Sequence, residues 1–275
     1  MVGVLFVIIL LFGLIWASYY DLKSREIPDL LSYSLIAGCL GISLIYSLFT
    51  SFHFFLSSIL GGIIVFSLGY IFYYFKQIGG GDVKIFTSIG IALSNFYVGK
   101  ISLLIIFGGI ILIVGGIYSL IWGINLFLKN RKQSFTELSK SLSEKRTIRR
   151  YIIILSLILV IVGIIAVNLR GLIITLIFLI YGVFYLNIFV KVIEKLHFIK
   201  KIKVSELTEG DWLAKDVILN NKKLISKKEP EIEKKHIAIL KKYNIHEVWI
   251  RIGIPFVPAI LITFLVTIII YGILG

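Results

Sequence analysis

Apolar residues fall in long stretches separated by short polar breaks, over about 2 to 20, 30 to 50, 54 to 75, 83 to 99, 101 to 128, 151 to 168, 171 to 190 and 253 to 274. A helix needs roughly 20 apolar residues to cross about 30 Å of hydrocarbon, so the pattern predicts about eight transmembrane helices. The stretch 83 to 99 is short, and a partly re-entrant course is open to it. Between 191 and 252 the pattern changes. "KKIKVSELTEGDWLAKDVIL" alternates as strands around a Gly-Asp turn do. "EPEIEKKHIAILKKYN" has helical periodicity, with Pro230 near its start and Asn244 as C-cap, and "IHEVWIRI" reads as a closing strand. The expected fold is an all-α polytopic membrane protein with a small cytoplasmic α/β module.

Five segments follow from this pattern: a membrane core over 1–128 with about five spans, a basic loop over 129–150, two further spans over 151–190, the soluble module over 191–252, and a last span over 253–275. The loop is expected to be mobile or to form a short amphipathic helix at the membrane surface. Composition agrees: 58% of residues are hydrophobic and the mean hydropathy is +0.98, which excludes a water-soluble globule. The first stretch has no basic leader and is about twice the length of a secretory h-region, so it is expected to be retained.

Cytoplasmic loops keep positive charge. With both termini outside, the inner face holds Lys23, Arg25, Lys76, Lys84 and the segments 129–150 and 191–251, while only Lys100 and Arg170 face outward. That arrangement, with attraction to anionic lipid of the cytoplasmic leaflet, accounts for the net charge of +14 without nucleic acid as a partner. The single cysteine, Cys39, allows no disulfide framework and no tetracysteine zinc site. His53, His197, His236 and His246 lack metal-ligand spacing, so neither metal nor cofactor is expected. The oligomeric state is left open.

Acidic residues are sparse in the membrane core. Of fifteen, only Asp21, Glu26, Asp29 and Asp82 precede position 137, and all four fall on the inner face. Charge near hydrocarbon is costly and tends to be functional. Asp21 stands where the first span leaves the bilayer, with Pro28 stopping the chain before the second; Asp82 stands between the third and fourth. Two carboxyl groups sharing a site cannot both ionise cheaply, so one keeps a proton while the other accepts one. That is aspartic-protease chemistry, needing no metal.

In "FYYFKQIGGGDVKIFTSIG", Gly79, Gly80 and Gly81 are expected to end the third helix, adopt conformations closed to residues with a Cβ, and let a substrate backbone approach Asp82. A Gly-rich turn with Asp82 as N-cap of the next helix explains the same residues. Glu26 and Asp29 suit contact with a basic substrate segment; equally, they suit pairing with Lys23 or Arg25, or Asp29 as N-cap of the second span.

"GGGDVK" has the GxGD form, and with "DLKSREIPD" it resembles the motifs of type IV prepilin peptidases and archaeal preflagellin (prearchaellin) peptidases, the GxGD membrane aspartic proteases. Across the apolar block, Asp21 and Asp82 fall on the two family aspartates, Gly79 and Gly81 on the two glycines, and Lys84 on a lysine two residues later. "GIPFVPAILITF" is similar to the family's Pro-Phe-x-x-Pro phrase, with Pro255, Phe256 and Pro258 in place as helix-breaking residues inside the last span.

The resemblance implies an endopeptidase that removes a short basic leader from prepilin-like or prearchaellin precursors at the cytoplasmic membrane boundary. Bacterial members carry a Cys-rich cytoplasmic element and methylate the new N-terminus; one cysteine cannot build that element, so methyl transfer is not expected. The loop 129–150 and the soluble module are additions relative to the shortest archaeal members. The alternative from another class is a transporter using Asp21 and Asp82 as coupling acids.

Overall fold

Periodic apolar stretches become helices because a backbone in hydrocarbon must satisfy its own hydrogen bonds. In a computed structural model that describes residues 2–219, 222–227 and 231–274, the helices are α1 (Val2–Ser24), α2 (Asp29–Phe49), α3 (Phe52–Tyr74), α4 (Gly80–Leu93), α5 (Leu103–Lys129), α6 (Arg131–Glu144), α7 (Arg146–Ile165), α8 (Arg170–Ile193), α9 (Lys234–Lys242) and α10 (Val257–Leu274). The strands are β1 (Tyr97–Val98), β2 (Ile101–Ser102), β3 (Ile199–Lys203), β4 (Trp212–Leu213), β5 (Val217–Leu219), β6 (Lys222–Ile225) and β7 (Glu247–Arg251).

Among the described residues seven helices are long and apolar enough to cross a membrane: α1, α2, α3, α5, α7, α8 and α10. The polytopic all-α fold stands, and α4, over the apolar stretch 83 to 99, is shorter than these seven. Its 14 residues rise about 21 Å. The helix stops at Leu93 because the chain turns there into the β1–β2 hairpin, with Gly99 in the left-handed region at φ +59°.

α4 is nevertheless the most enclosed helix of the core, buried at Val83, Ile85 and from Thr87 to Leu93. It runs antiparallel to α1: Asp82 at its start lies near Asp21 in the last turn of α1, and Phe96 just past its end packs edge-on against Phe6 at 6.2 Å and Tyr271 at 5.8 Å. Small residues make this approach possible, as in membrane helix pairs generally. A Cβ on Gly61 of α3 would lie 2.6 Å from the Gly90 carbonyl of α4, and one on Gly90 would lie 2.8 Å from the Gly61 carbonyl. Beside that crossing, Ser43 donates to Ser58 at 2.7 Å, and Asn95 donates to Ser58 at 2.8 Å and to the Phe54 carbonyl at 3.0 Å. Phe6, Leu10, Leu14, Ile85, Ile89 and Phe264 fill the core between.

The chain divides into two compact units, residues 1–121 with 202–275, and residues 122–201. In the second, α6 occupies most of the basic linker, so of the two expected courses the helical one is realised. Phe127, Phe184, Ile188, Val192 and Ile193 pack together there, with a Lys195–Glu137 ion pair and a Lys145–Asn187 hydrogen bond of 3.1 Å at the surface.

The first unit also contains the α/β module. Within it β4 and β7 pair antiparallel, with Trp212 opposite Arg251 and Leu213 opposite Ile250. The β5–β6 hairpin and α9 complete it around Val204, Leu207, Leu213, Ile232, Leu240 and Val248. Gly210 supplies the turn at φ +95°, and Asn244 ends α9 at φ +52° while Ile245 N–H reaches the Leu240 carbonyl at 3.0 Å. Pro230, expected near the start of α9, lies outside the described residues.

Overpacking a close helix crossing costs about 1–3 kcal/mol. Gly90→Val is therefore expected to lower the thermal midpoint of the detergent-solubilised protein by several degrees, whereas Gly108→Val, where a Cβ meets nothing within 4 Å, leaves it in place.

Candidate active site

The last turn of α1 and the first turns of α4 and α10 converge on two carboxyl groups. Asp21 is 5% exposed, and its Oδ2 accepts a hydrogen bond of 2.8 Å from the Val257 N–H, with the Phe256 amide beside it. The first amides of a helix have no partner within it, and they carry the positive end of its dipole. Asp21 satisfies them across a sequence gap of 236 residues. Pro255 and Phe256 precede α10 and Pro258 lies in its first turn, so the Pro-Phe-x-x-Pro phrase begins the helix and does not kink a span. This corrects the expectation of prolines inside the helix. Proline is tolerated there because a first-turn N–H would be free anyway. The Phe256 ring fills the space over Gly115 of α5, where a Cβ would come within 2.8 Å.

Asp82 is the third residue of α4, not its N-cap. Gly79 holds the cap position, and its N–H donates to Asp82 Oδ2 at 3.1 Å. Burial first, and then the nearby charge of Asp21, push the Asp82 carboxyl up to about 7, while the Gly79 N–H acts in the opposite sense. The two acids, far apart in sequence, are thus within electrostatic reach of one another.

The three glycines act differently from expectation. α3 already ends at Tyr74, Gly80 and Gly81 are helical, and Gly79 has an ordinary extended φ of −76°. None of the three takes a conformation closed to other residues. What Gly81 provides is clearance: a Cβ would lie 3.0 to 3.3 Å from Ile27 in the α1–α2 connection. The left-handed position that ends α3 belongs to Lys76, at φ +57°.

Lys84 pairs with Asp29 and lies 4.5 Å from the Tyr33 ring centre, joining α4 to the start of α2. Asp29 is the first residue of α2, after Pro28 as N-cap, so the capping role expected for it does not occur. Glu26 accepts a hydrogen bond of 2.7 Å from the Thr208 hydroxyl. The expected partners Lys23 and Arg25 lie elsewhere: Lys23 over the Tyr19 ring, and Arg25 donating to the Gly253 carbonyl at 2.8 Å.

Tyr118 and Thr208 were not singled out by sequence reasoning, and Arg25 was expected only as an inner-face cation and ion-pair partner. Tyr118 of α5 comes within electrostatic reach of Asp21, and the nearby Gly115, which admits the Phe256 ring, is the local sign of that approach. Among the described residues no three His, Cys, Asp or Glu side chains gather as metal ligands would. His236 accepts the Glu233 N–H at 3.1 Å and serves as a helix cap.

Gly→Ala in a helix gains roughly 0.5–1 kcal/mol where there is room. Gly80→Ala, whose Cβ would meet only Tyr73 at 3.7 Å, is expected to hold or raise the unfolding midpoint, and Gly81→Ala to lower it. Ile27→Ala added to Gly81→Ala should recover most of that loss, as thermal unfolding of the three variants would register.

Comparison with known proteins bears on the same region. Residues 8–120 match the type IV leader peptidase family. A preflagellin peptidase of Methanocaldococcus jannaschii is 38% identical over 89 residues, which is 30% of this chain and 36% of that relative, so the chain spans about a third of the relative's length. No solved structure matches the chain. The stretch matched by the family model contains Asp21, Gly79 to Gly81 and Asp82, and it is over this membrane core that the chain is similar to the type IV leader peptidase family.

Proposed function

We propose that the protein is a membrane aspartic endopeptidase that removes a short basic leader from prepilin-like or prearchaellin precursors, with Asp21 and Asp82 as its catalytic pair. The observation that carries this reading is that two partly or fully buried carboxyl groups, from the end of α1 and the start of α4, lie within electrostatic reach of each other. The family match and the preflagellin peptidase likeness support it.

In this reading Asp82 holds the proton and Asp21 is the acceptor. Asp21 takes a proton from water as the water oxygen attacks the scissile carbonyl carbon. Asp82 donates to the carbonyl oxygen, and the tetrahedral intermediate collapses as the amide nitrogen leaves with a proton from Asp21 while Asp82 takes a proton back from the hydroxyl that becomes the new carbonyl. The Val257 N–H fixes the orientation of the Asp21 carboxylate through this exchange. Lys23, Arg25, Lys76 and Lys84 gather at the same end, which supports a cytoplasmic location for the acids, with both termini and the β1–β2 hairpin outside. A substrate's apolar helix would then remain in lipid while its leader reached the acids from the aqueous side.

Asp82→Asn and Asp21→Asn are expected to leave a folded protein, since amides keep nearly the same volume, and to abolish cleavage of a co-expressed precursor by at least about a thousandfold. Cleavage at wild-type rate by either variant removes the pair from consideration.

The acid form of Asp82 is needed, and it is lost as pH rises through about 7. The rate is therefore expected to fall on the alkaline side of an apparent pKa near that value, a property of the coupled pair. A pH series on purified protein with a precursor peptide reads it directly.

A further inference from the structure

Two of the three non-glycine residues with left-handed backbone among those described are Arg25 and Lys76, at φ +61° and +57°. The third, Asn244, is of a type that tolerates this region. Each cation lies just beyond the end of a long helix, α1 and α3, where glycine is the ordinary choice. A strained side chain kept where glycine would relieve it points to a use for that side chain.

Lys76 reaches the α/β module, and Arg25 reaches the connection that leads from it to α10. The Arg25 guanidinium donates to the Gly253 carbonyl at 2.8 Å, and Lys76 Nζ donates to the Lys227 carbonyl at 2.7 Å. A second contact accompanies each: the Thr208 hydroxyl donates to Glu26 at 2.7 Å, and Tyr73 lies within electrostatic reach of Glu231. One pair of contacts thus holds the α1–α2 connection, four and five residues past Asp21. The other holds the end of α3 and the turn that leads into Asp82.

The module that receives these contacts has its own packed core, with Ile232 and Leu240 at most 1% exposed. It is also tied covalently to the site, since β7 leads through residues 252–256 to Val257, whose N–H holds Asp21.

The geometry points to the module as a clamp: it grips the connections that carry the two acids and fixes the spacing of Asp21 and Asp82, with Arg25, Lys76 and Thr208 as positioning residues. This rests on the peptidase reading for its catalytic consequence. The mechanical part stands on the contacts alone.

Lys76→Gly separates the clamp from mere structural support. Removing left-handed strain leaves the unfolding midpoint unchanged or raises it, whereas loss of the grip displaces an acid, and small misplacements cost tenfold or more in rate. Full-length protein in proteoliposomes, given a synthetic precursor with a basic leader and an apolar helix, is expected to lose about tenfold in kcat with KM little changed. Lys76→Arg is expected to stay within about twofold of wild type. Thr208→Val should behave like Lys76→Gly, and Thr208→Ser should restore the rate.

Hydrogen exchange over residues 72–84 for the Lys76 variant, and 20–28 for the Thr208 variant, should quicken in step with the loss of rate. Wild-type kcat in the combined Lys76→Gly, Thr208→Val protein would overturn the clamp while leaving the peptidase reading intact. If the wild-type chain cleaves no precursor, that reading fails instead, and unchanged exchange in the same variants would sink the clamp independently.

Discussion

A carboxyl group at the end of an apolar helix bundle persists only if something replaces the water it has lost. For Asp21 the replacement is the start of another helix, whose Val257 N–H lies 2.8 Å from its Oδ2. An amide without an intrahelical partner and an acid without solvent each carry a desolvation cost of a few kcal/mol when left alone, and each removes the other's. This exchange determines where α10 begins, why Pro255 and Pro258 are acceptable at its threshold, and why Phe256 is directed toward Gly115 of α5. The distant C-terminal segment thereby becomes part of the environment of an acid near the N-terminus.

Close packing supplies the second acid. α4 is short and enclosed, and it approaches α3 through Gly61 and Gly90, where each glycine leaves room for the other's carbonyl. Gly81 gives the same freedom against Ile27, so the start of α4 can come up to the α1–α2 connection and carry Asp82 toward Asp21. Of the GxGD glycines, Gly81 thus serves as spacing between elements, with backbone conformation secondary. Burial and the neighbouring Asp21 charge together favour a proton on Asp82. The same enclosure that enables acid chemistry therefore determines which acid begins it in the proposed mechanism.

The α/β module links these two requirements. It continues into α10, whose first amide holds Asp21, and it receives Glu26, Tyr73 and Lys76 from the connections that follow α1 and end α3, while Arg25 reaches the connection that leads from it to α10. Hydrogen bonds from a packed module can hold such connections more stiffly than a chain in water, because ordering them has been accomplished in folding the module's own core. A segment that reads in the sequence as an addition therefore contacts, in the structure, both acid-bearing connections.

Much of the architecture was legible locally. Apolar stretches of twenty residues announce membrane helices because hydrocarbon leaves the backbone little alternative, and the Gly-Asp turn at 210–211 and the end of α9 at Asn244 follow from residues that favour those conformations on their own. Alternation of direction along successive helices also predicted Asp21 and Asp82 at one end. The extent of α4, the use of Gly81, the partners of Glu26 and Asp29, and the course of Pro255 to Pro258 were not legible, since each depends on a neighbour remote in the chain. Local periodicity records what a segment needs from solvent or lipid. It does not record which distant carbonyl, amide or ring will meet it, and so Arg25 and Lys76 read as ordinary topogenic cations until their left-handed backbone and their reach to Gly253 and Lys227 are seen together.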